Sequence, residues 1–63
     1  MPFISVDLWE GRPVEVKKKL VADITRVTLE DLGCPPEAVT VVLRDVPKHN
    51  WAQAGKLASE SKM

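Results

Sequence analysis

Met1-Pro2-Phe3-Ile4-Ser5-Val6-Asp7-Leu8-Trp9-Glu10-Gly11-Arg12 reads as a strand, a tight turn and an arginine at the mouth of a helix. Alternation sets the strand over residues 3–9. Pro2, Ile4, Val6 and Leu8 fall on one apolar face, while Phe3, Ser5, Asp7 and Trp9 fall on a mixed one. Glu10-Gly11 is the turn, because glycine adopts positive φ without a Cβ clash. Pro13 follows Arg12 and suits the first position of a helix.

From Val14 the period changes to that of a helix and holds to Leu32. Val16, Leu20, Ile24 and Val27 form a stripe, widened by Val21, Thr28 and Leu32. Glu15 in the first turn complements the helix dipole and is spaced to pair with Lys19. Gly33 is a natural stop, and Pro35-Pro36 forbid continuation. Residues 39–46 are β-branched and read as a second strand. Val39, Val41 and Leu43 lie on one face of it, with Thr40, Val42, Arg44 and Val46 on the other. A strand, a long helix and a strand make a crossover, so the two strands are expected to be parallel. Residues 47–50 read as a loop, residues 51–56 as a short strand or hairpin, and the polar tail after Leu57 as frayed.

The fold class is therefore α/β: one βαβ domain over residues 1–63, with two parallel strands and one long helix. The chain has 63 residues and a single cysteine, Cys34, so no intrachain disulfide can staple it. His49 and Cys34 alone cannot make a structural zinc site. One helix covers one face of a two-stranded sheet, and a chain that is 44% hydrophobic cannot leave the other face bare. Association of copies is the expected way to complete the sheets. Nine basic residues balance nine acidic ones, which gives no basic excess for nucleic acid or an anionic membrane. No apolar run is long enough to span a bilayer, and the start lacks a signal peptide's pattern. The lone thiol fits a reducing cytoplasm.

The residues that could carry chemistry are few. Initiator methionine is normally removed when a small residue follows, and Pro2 would then carry a free secondary amine. With Met1 attached the same nitrogen is a non-basic amide. A free amine in an apolar strand end, near a cation, has its pKa drawn down toward ambient pH, where a general base works best. Arg12 offers a planar fork for a carboxylate or a developing enolate oxygen. Trp51, after a polar loop, could wall a pocket. Arg44, mid-strand, calls for a partner or a ligand. Each of these has a plain structural reading as well, and Lys17-Lys18-Lys19 reads as a solvated helix face.

In order and spacing, these residues resemble the 4-oxalocrotonate tautomerase family, whose members include 2-hydroxymuconate tautomerases. Its carriers are Met1-Pro2 opening a strand, the Glu10-Gly11-Arg12 turn, Lys19-Leu20 in the helix, and Lys48-His49-Asn50-Trp51-Ala52-Gln53-Ala54-Gly55-Lys56. The resemblance implies a βαβ protomer assembled as a homohexamer, a trimer of dimers. It implies cofactor-independent keto-enol isomerisation of 2-hydroxymuconate-like or other 2-oxo acid enols, of the kind met in aromatic catabolism. Pro2 would be the general base, Arg12 the carboxylate-binding group and Trp51 the pocket aromatic, with the site shared between subunits. Relatives on the same fold carry out hydratase, dehalogenase-type or decarboxylase reactions. A non-catalytic assembly module is the remaining alternative. One departure stands out. The family's best-known members carry a second arginine near the start of the second strand, and Thr40 stands there, aligned on Pro35. A hydroxyl cannot neutralise a carboxylate, so diacids are expected to be handled less well. The Thr40 hydroxyl remains a candidate to hydrogen-bond the substrate. Arg44 lies four residues further along the same face, roughly 13 Å away at 3.3 Å per residue, and is a candidate substrate-binding residue only from another subunit.

Overall fold

The structure, a computed structural model, describes residues 1–60. Strand β1 spans Phe3–Trp9, helix α1 Val14–Leu32 and strand β2 Thr40–Val46. β1 and β2 pair in parallel, with Phe3 opposite Thr40, Asp7 opposite Arg44 and Trp9 opposite Val46. Partners in a parallel register share a face. Phe3, Ser5, Asp7, Trp9, Thr40, Val42, Arg44 and Val46 therefore line one side of the sheet, and α1 lies against the other.

Local chemistry accounts for these boundaries. Pro13 sits at the cap of α1 rather than inside it, extended at φ −70° and ψ 159°, and its carbonyl accepts from the Val16 and Lys17 N–H groups. Gly33 ends the helix at φ 70°, its N–H bonded to the Leu29 carbonyl at 2.9 Å. A short 3-10 turn over Pro36–Ala38 holds Val39 out of the ladder, so β2 begins at Thr40 and not at Val39. On α1, Leu20, Val21, Ile24 and Thr28 are half-buried against the sheet, whereas Val16, Val27 and Leu32 of the expected stripe stay exposed. Lys17 joins that inner face and pairs with Asp45 of β2 at 2.6 Å. Lys19 pairs forward with Asp23, also at 2.6 Å, instead of back with Glu15. That bond is the main reason the Asp23 carboxyl is held below the ordinary carboxylate range.

After β2 the chain makes a 3-10 turn over Lys48–Asn50. An antiparallel pair follows, β3 (Ala52–Gln53) with β4 (Lys56–Leu57), around Ala54 at φ 54° and Gly55 at φ 78°. The expected hairpin at 51–56 is thus present. The tail is better ordered than its polarity suggests. Ala58–Glu60 form a 3-10 turn, Ala58 donates to the Trp51 carbonyl at 2.7 Å, and the Glu60 carboxylate accepts from the Leu57 N–H. The rest of the tail expected to fray, residues 61–63, lies outside the described residues.

The protomer has almost no interior. Ala58, 9% exposed, is the one buried residue among those described, while Phe3 is 63% and Leu32 65% exposed. The radius of gyration is 14.7 Å; a compact chain of this length would have about 11 Å. The molecule is one helix laid on two strands, with its opposite sheet face largely open.

Candidate active site

Pro2 is half-buried at the start of β1, and its carbonyl accepts the Thr40 N–H at 3.1 Å. That bond fastens the amino-terminal end to the first residue of β2. The Thr40 side chain is exposed on the open face beside Phe3. Met1 is 96% exposed and projects clear of the fold. Its peptide link to Pro2 is therefore accessible to the aminopeptidase that would free the proline nitrogen.

Arg12 lies beyond the other end of β1, where its Nη1 donates to the Trp9 carbonyl at 3.1 Å. The guanidinium has several N–H groups left over, and no carboxylate pairs with it among the described residues. The six steps from Phe3 to Trp9 put roughly 20 Å between the strand's ends. Proton transfer and carboxylate binding both need contact at about 3 Å. A single protomer therefore does not bring Pro2 and Arg12 together; it presents them at opposite poles.

Trp51 does join the Arg12 pole. Its indole meets that of Trp9 edge to face, with centroids 5.9 Å apart and planes at 79°. Backbone bonds from Trp51 to the Lys48 carbonyl and from Ala58 to the Trp51 carbonyl set its height above the sheet. Lys48 lies over the Trp9 ring, its Nζ 4.8 Å from the centroid. Trp9 is the residue that sequence reasoning missed. It carries Arg12 on its carbonyl, Trp51 against its ring and Lys48 over its face. The buried Trp9 Nε1–H finds no acceptor among the described residues, a donor left unpaired at a typical cost of about 1–3 kcal/mol. The alternation placed Trp9 on the mixed face correctly, but nothing local in sequence pairs it with Trp51.

Arg44 is engaged elsewhere. It donates to the Ser5 hydroxyl and lies 3.9 Å from the Asp7 carboxylate, across the register from its own position. This cross-strand pair answers its need for a partner within one protomer. Cys34 is free and half-buried before the prolines. No helix among the described residues is long and apolar enough to cross a membrane.

Comparison with known proteins converges on one family. The family model described as tautomerase enzyme matches residues 2–60. The 2-hydroxymuconate tautomerase of Comamonas testosteroni is 43% identical over 60 residues, covering 95% of each chain. The crystal structure of a 4-oxalocrotonate tautomerase homologue superposes with a TM-score of 0.90 at 40% identity over the whole of both chains. A 4-oxalocrotonate tautomerase isozyme from Methylibium petroleiphilum gives 0.88 at 40% identity, covering 92% of this chain and 94% of that one.

Proposed function

The chain belongs to the tautomerase family of isomerases, and from that premise we propose that it interconverts the enol and keto forms of 2-oxo acids with the Pro2 amine as general base. Removal of Met1 makes the proline nitrogen a secondary amine. That nitrogen takes the proton of the substrate's 2-hydroxyl. The electron pair moves through the conjugated chain as the carbonyl forms. The protonated amine then returns the proton to a distal carbon, so atoms and charge balance without any other reactant.

Arg12 binds the carboxylate next to the reacting carbon, and its spare N–H groups stabilise the oxygen as negative charge develops on it. Trp51 walls the apolar side. The Thr40 hydroxyl supplies a hydrogen bond beside Pro2 but no charge. Because Pro2 and Arg12 occupy opposite poles of one protomer, each site is shared between chains, and a homohexamer built as a trimer of dimers is the assembly we propose. The nearly absent interior supports this, since association is the remaining way to bury Phe3, Val14 and Leu32. We place the enzyme in the cytoplasm, where the free Cys34 thiol would stay reduced.

The single observation that carries the reading is the family match from Pro2 to residue 60 at full coverage of a tautomerase fold. The test is the ketonisation of 2-hydroxymuconate followed by ultraviolet absorbance, with Met1 removal checked by intact mass. Rapid ketonisation by the processed protein, and none by protein that retains Met1, is the expected result. A processed protein without measurable ketonisation of this or a monoacid enol would refute the reading.

A further inference from the structure

The cations among the described residues differ in what holds them. Lys17 is paired with Asp45, Lys19 with Asp23, Arg26 with Glu30, and Arg44 with Asp7 and Ser5. Arg12 and Lys48 have no carboxylate partner among the described residues, yet both are fixed, and both are fixed by Trp9. The Trp9 carbonyl holds Arg12 and the Trp9 ring holds Lys48. Lys18 and Lys56 are also unpaired, but neither contacts Trp9.

A flexible lysine ordinarily gives up rotamer freedom when it grips an anion. Here the cation–π contact has already restricted the side chain, and Lys48 remains exposed. The ammonium N–H groups that point away from the ring are open to a ligand. The Lys48 carbonyl also accepts the Trp51 N–H at 3.3 Å, which ties the lysine's backbone to that of the pocket aromatic. Two cations without a carboxylate partner among the described residues are thus tied to one residue at the pole that carries Trp51, Arg12 through the Trp9 carbonyl and Lys48 through the Trp9 ring. At the Pro2 pole the corresponding side chain is the neutral Thr40, and Arg44 is tied to Asp7.

We infer that Lys48 is a second anion-binding group of the Arg12 site, held by the face of Trp9, and that it selects 2-oxo acids and enols bearing a distal second carboxylate. This inference rests on the proposed reading that Arg12 takes the carboxylate beside the reacting carbon. It overrides the expectation, drawn from Thr40 alone, that diacids are poorly handled. The missing charge is supplied from the loop after β2 instead of from its start.

The test compares binding of 2-oxoadipate and 2-oxohexanoate, which differ at the distal carboxylate, by calorimetry and by the fluorescence of the two tryptophans. The wild-type assembly is expected to bind 2-oxoadipate about fivefold more tightly, the worth of one exposed ion pair. Lys48→Met should weaken the diacid alone and bring the ratio below about twofold, whereas Lys48→Arg and the control Lys56→Met should keep the preference. A wild type without the preference, a Lys48→Met protein that retains it, or equal weakening of both ligands would overturn the inference. Absence of ketonisation with Pro2 free would count against the tautomerase reading, while the binding ratio would still judge Lys48.

Discussion

Thr40 donates its backbone N–H to the Pro2 carbonyl at 3.1 Å, so the residue that opens β2 holds the residue that opens the chain. The bond engages the proline carbonyl and not its nitrogen, and it ties the residue's backbone to the sheet. The base we propose is thus set by backbone, and its environment survives side-chain changes at Thr40. Pro2→Ala should leave the fold and the assembly intact while replacing a ring amine by a primary one. The expected loss in kcat/KM for 2-hydroxymuconate is about a hundredfold or more, the scale of a misfitted general base. Unchanged ketonisation would remove Pro2 from the mechanism.

Arg12→Ala tests the other pole. Among the described residues the guanidinium bonds a carbonyl and no carboxylate, so its loss strands no buried charge and the fold should tolerate it. Activity on carboxylate substrates should fall about a hundredfold, comparable to loss of a charge-stabilising donor. An enol without a carboxylate should lose much less. Equal losses on both would show that Arg12 holds the turn and not the substrate.

The sheet face that α1 leaves open predicts self-association. Phe3 is 63% exposed at one end of that face, and its ladder partner Thr40 is exposed beside it. Light scattering at micromolar concentration should give the mass of several chains. Phe3→Lys should lower that mass and, with it, activity, because the proposed site needs both poles. A monodisperse monomer that still ketonises substrate would contradict a shared site.

The order of elements was legible from period alone. Alternation gave β1 from Phe3 to Trp9, the 3.6-residue spacing and Gly33 bounded α1, and β-branching marked β2 to within one residue. Those signals are local, and local chemistry decides such boundaries. What stayed hidden depends on contacts distant in sequence. Ser59 and Glu60 make the tail read as polar, yet Ala58 is buried because the Trp51 carbonyl receives its N–H. Glu15 is correctly spaced for Lys19, but Asp23 is equally well spaced on the other side and takes the lysine. The candidate site was visible as residue types and not as geometry, since Pro2 and Arg12 meet only if copies do.

Asp23 gives the chain a pH-dependent contribution of known sign. The Lys19 hydrogen bond lowers its carboxyl below the usual range, with lesser help from the charges of Lys19 and Arg26 and some opposition from desolvation. A carboxyl with a depressed folded pKa adds stability above its unfolded value of about 4, and loses it as the pH falls through the folded one. Asp23→Asn should therefore lower the neutral plateau of the unfolding midpoint slightly and flatten its acid limb, so that variant and wild type converge at low pH. The site is solvent-exposed, so raised salt should shrink the same difference. An acid limb identical to that of the wild type would deny the pair any role.

Trp9 and Trp51 should prove coupled. The edge-to-face pair holds the carboxy-terminal hairpin on the end of β1, and through the Trp9 carbonyl it also sets where Arg12 emerges. Trp9→Leu and Trp51→Leu keep apolar bulk and remove the ring pair. Each should destabilise the assembly, and the double variant should lose less than the sum by about 1 kcal/mol, the usual worth of an aromatic pair beyond its buried area. The kinetic signature separates positioning from mere stability. Trp9→Leu should raise KM for carboxylate enols more than it lowers kcat, because Lys48 loses the ring that anchors it and the end of β1 that places Arg12 loses its packing against Trp51, while Pro2 is untouched. Trp9→Phe, which restores a ring face, should recover most of that KM. A Trp9→Leu protein with wild-type KM at a temperature where it is fully folded would show that the Trp9 ring takes no part in positioning the carboxylate-binding groups.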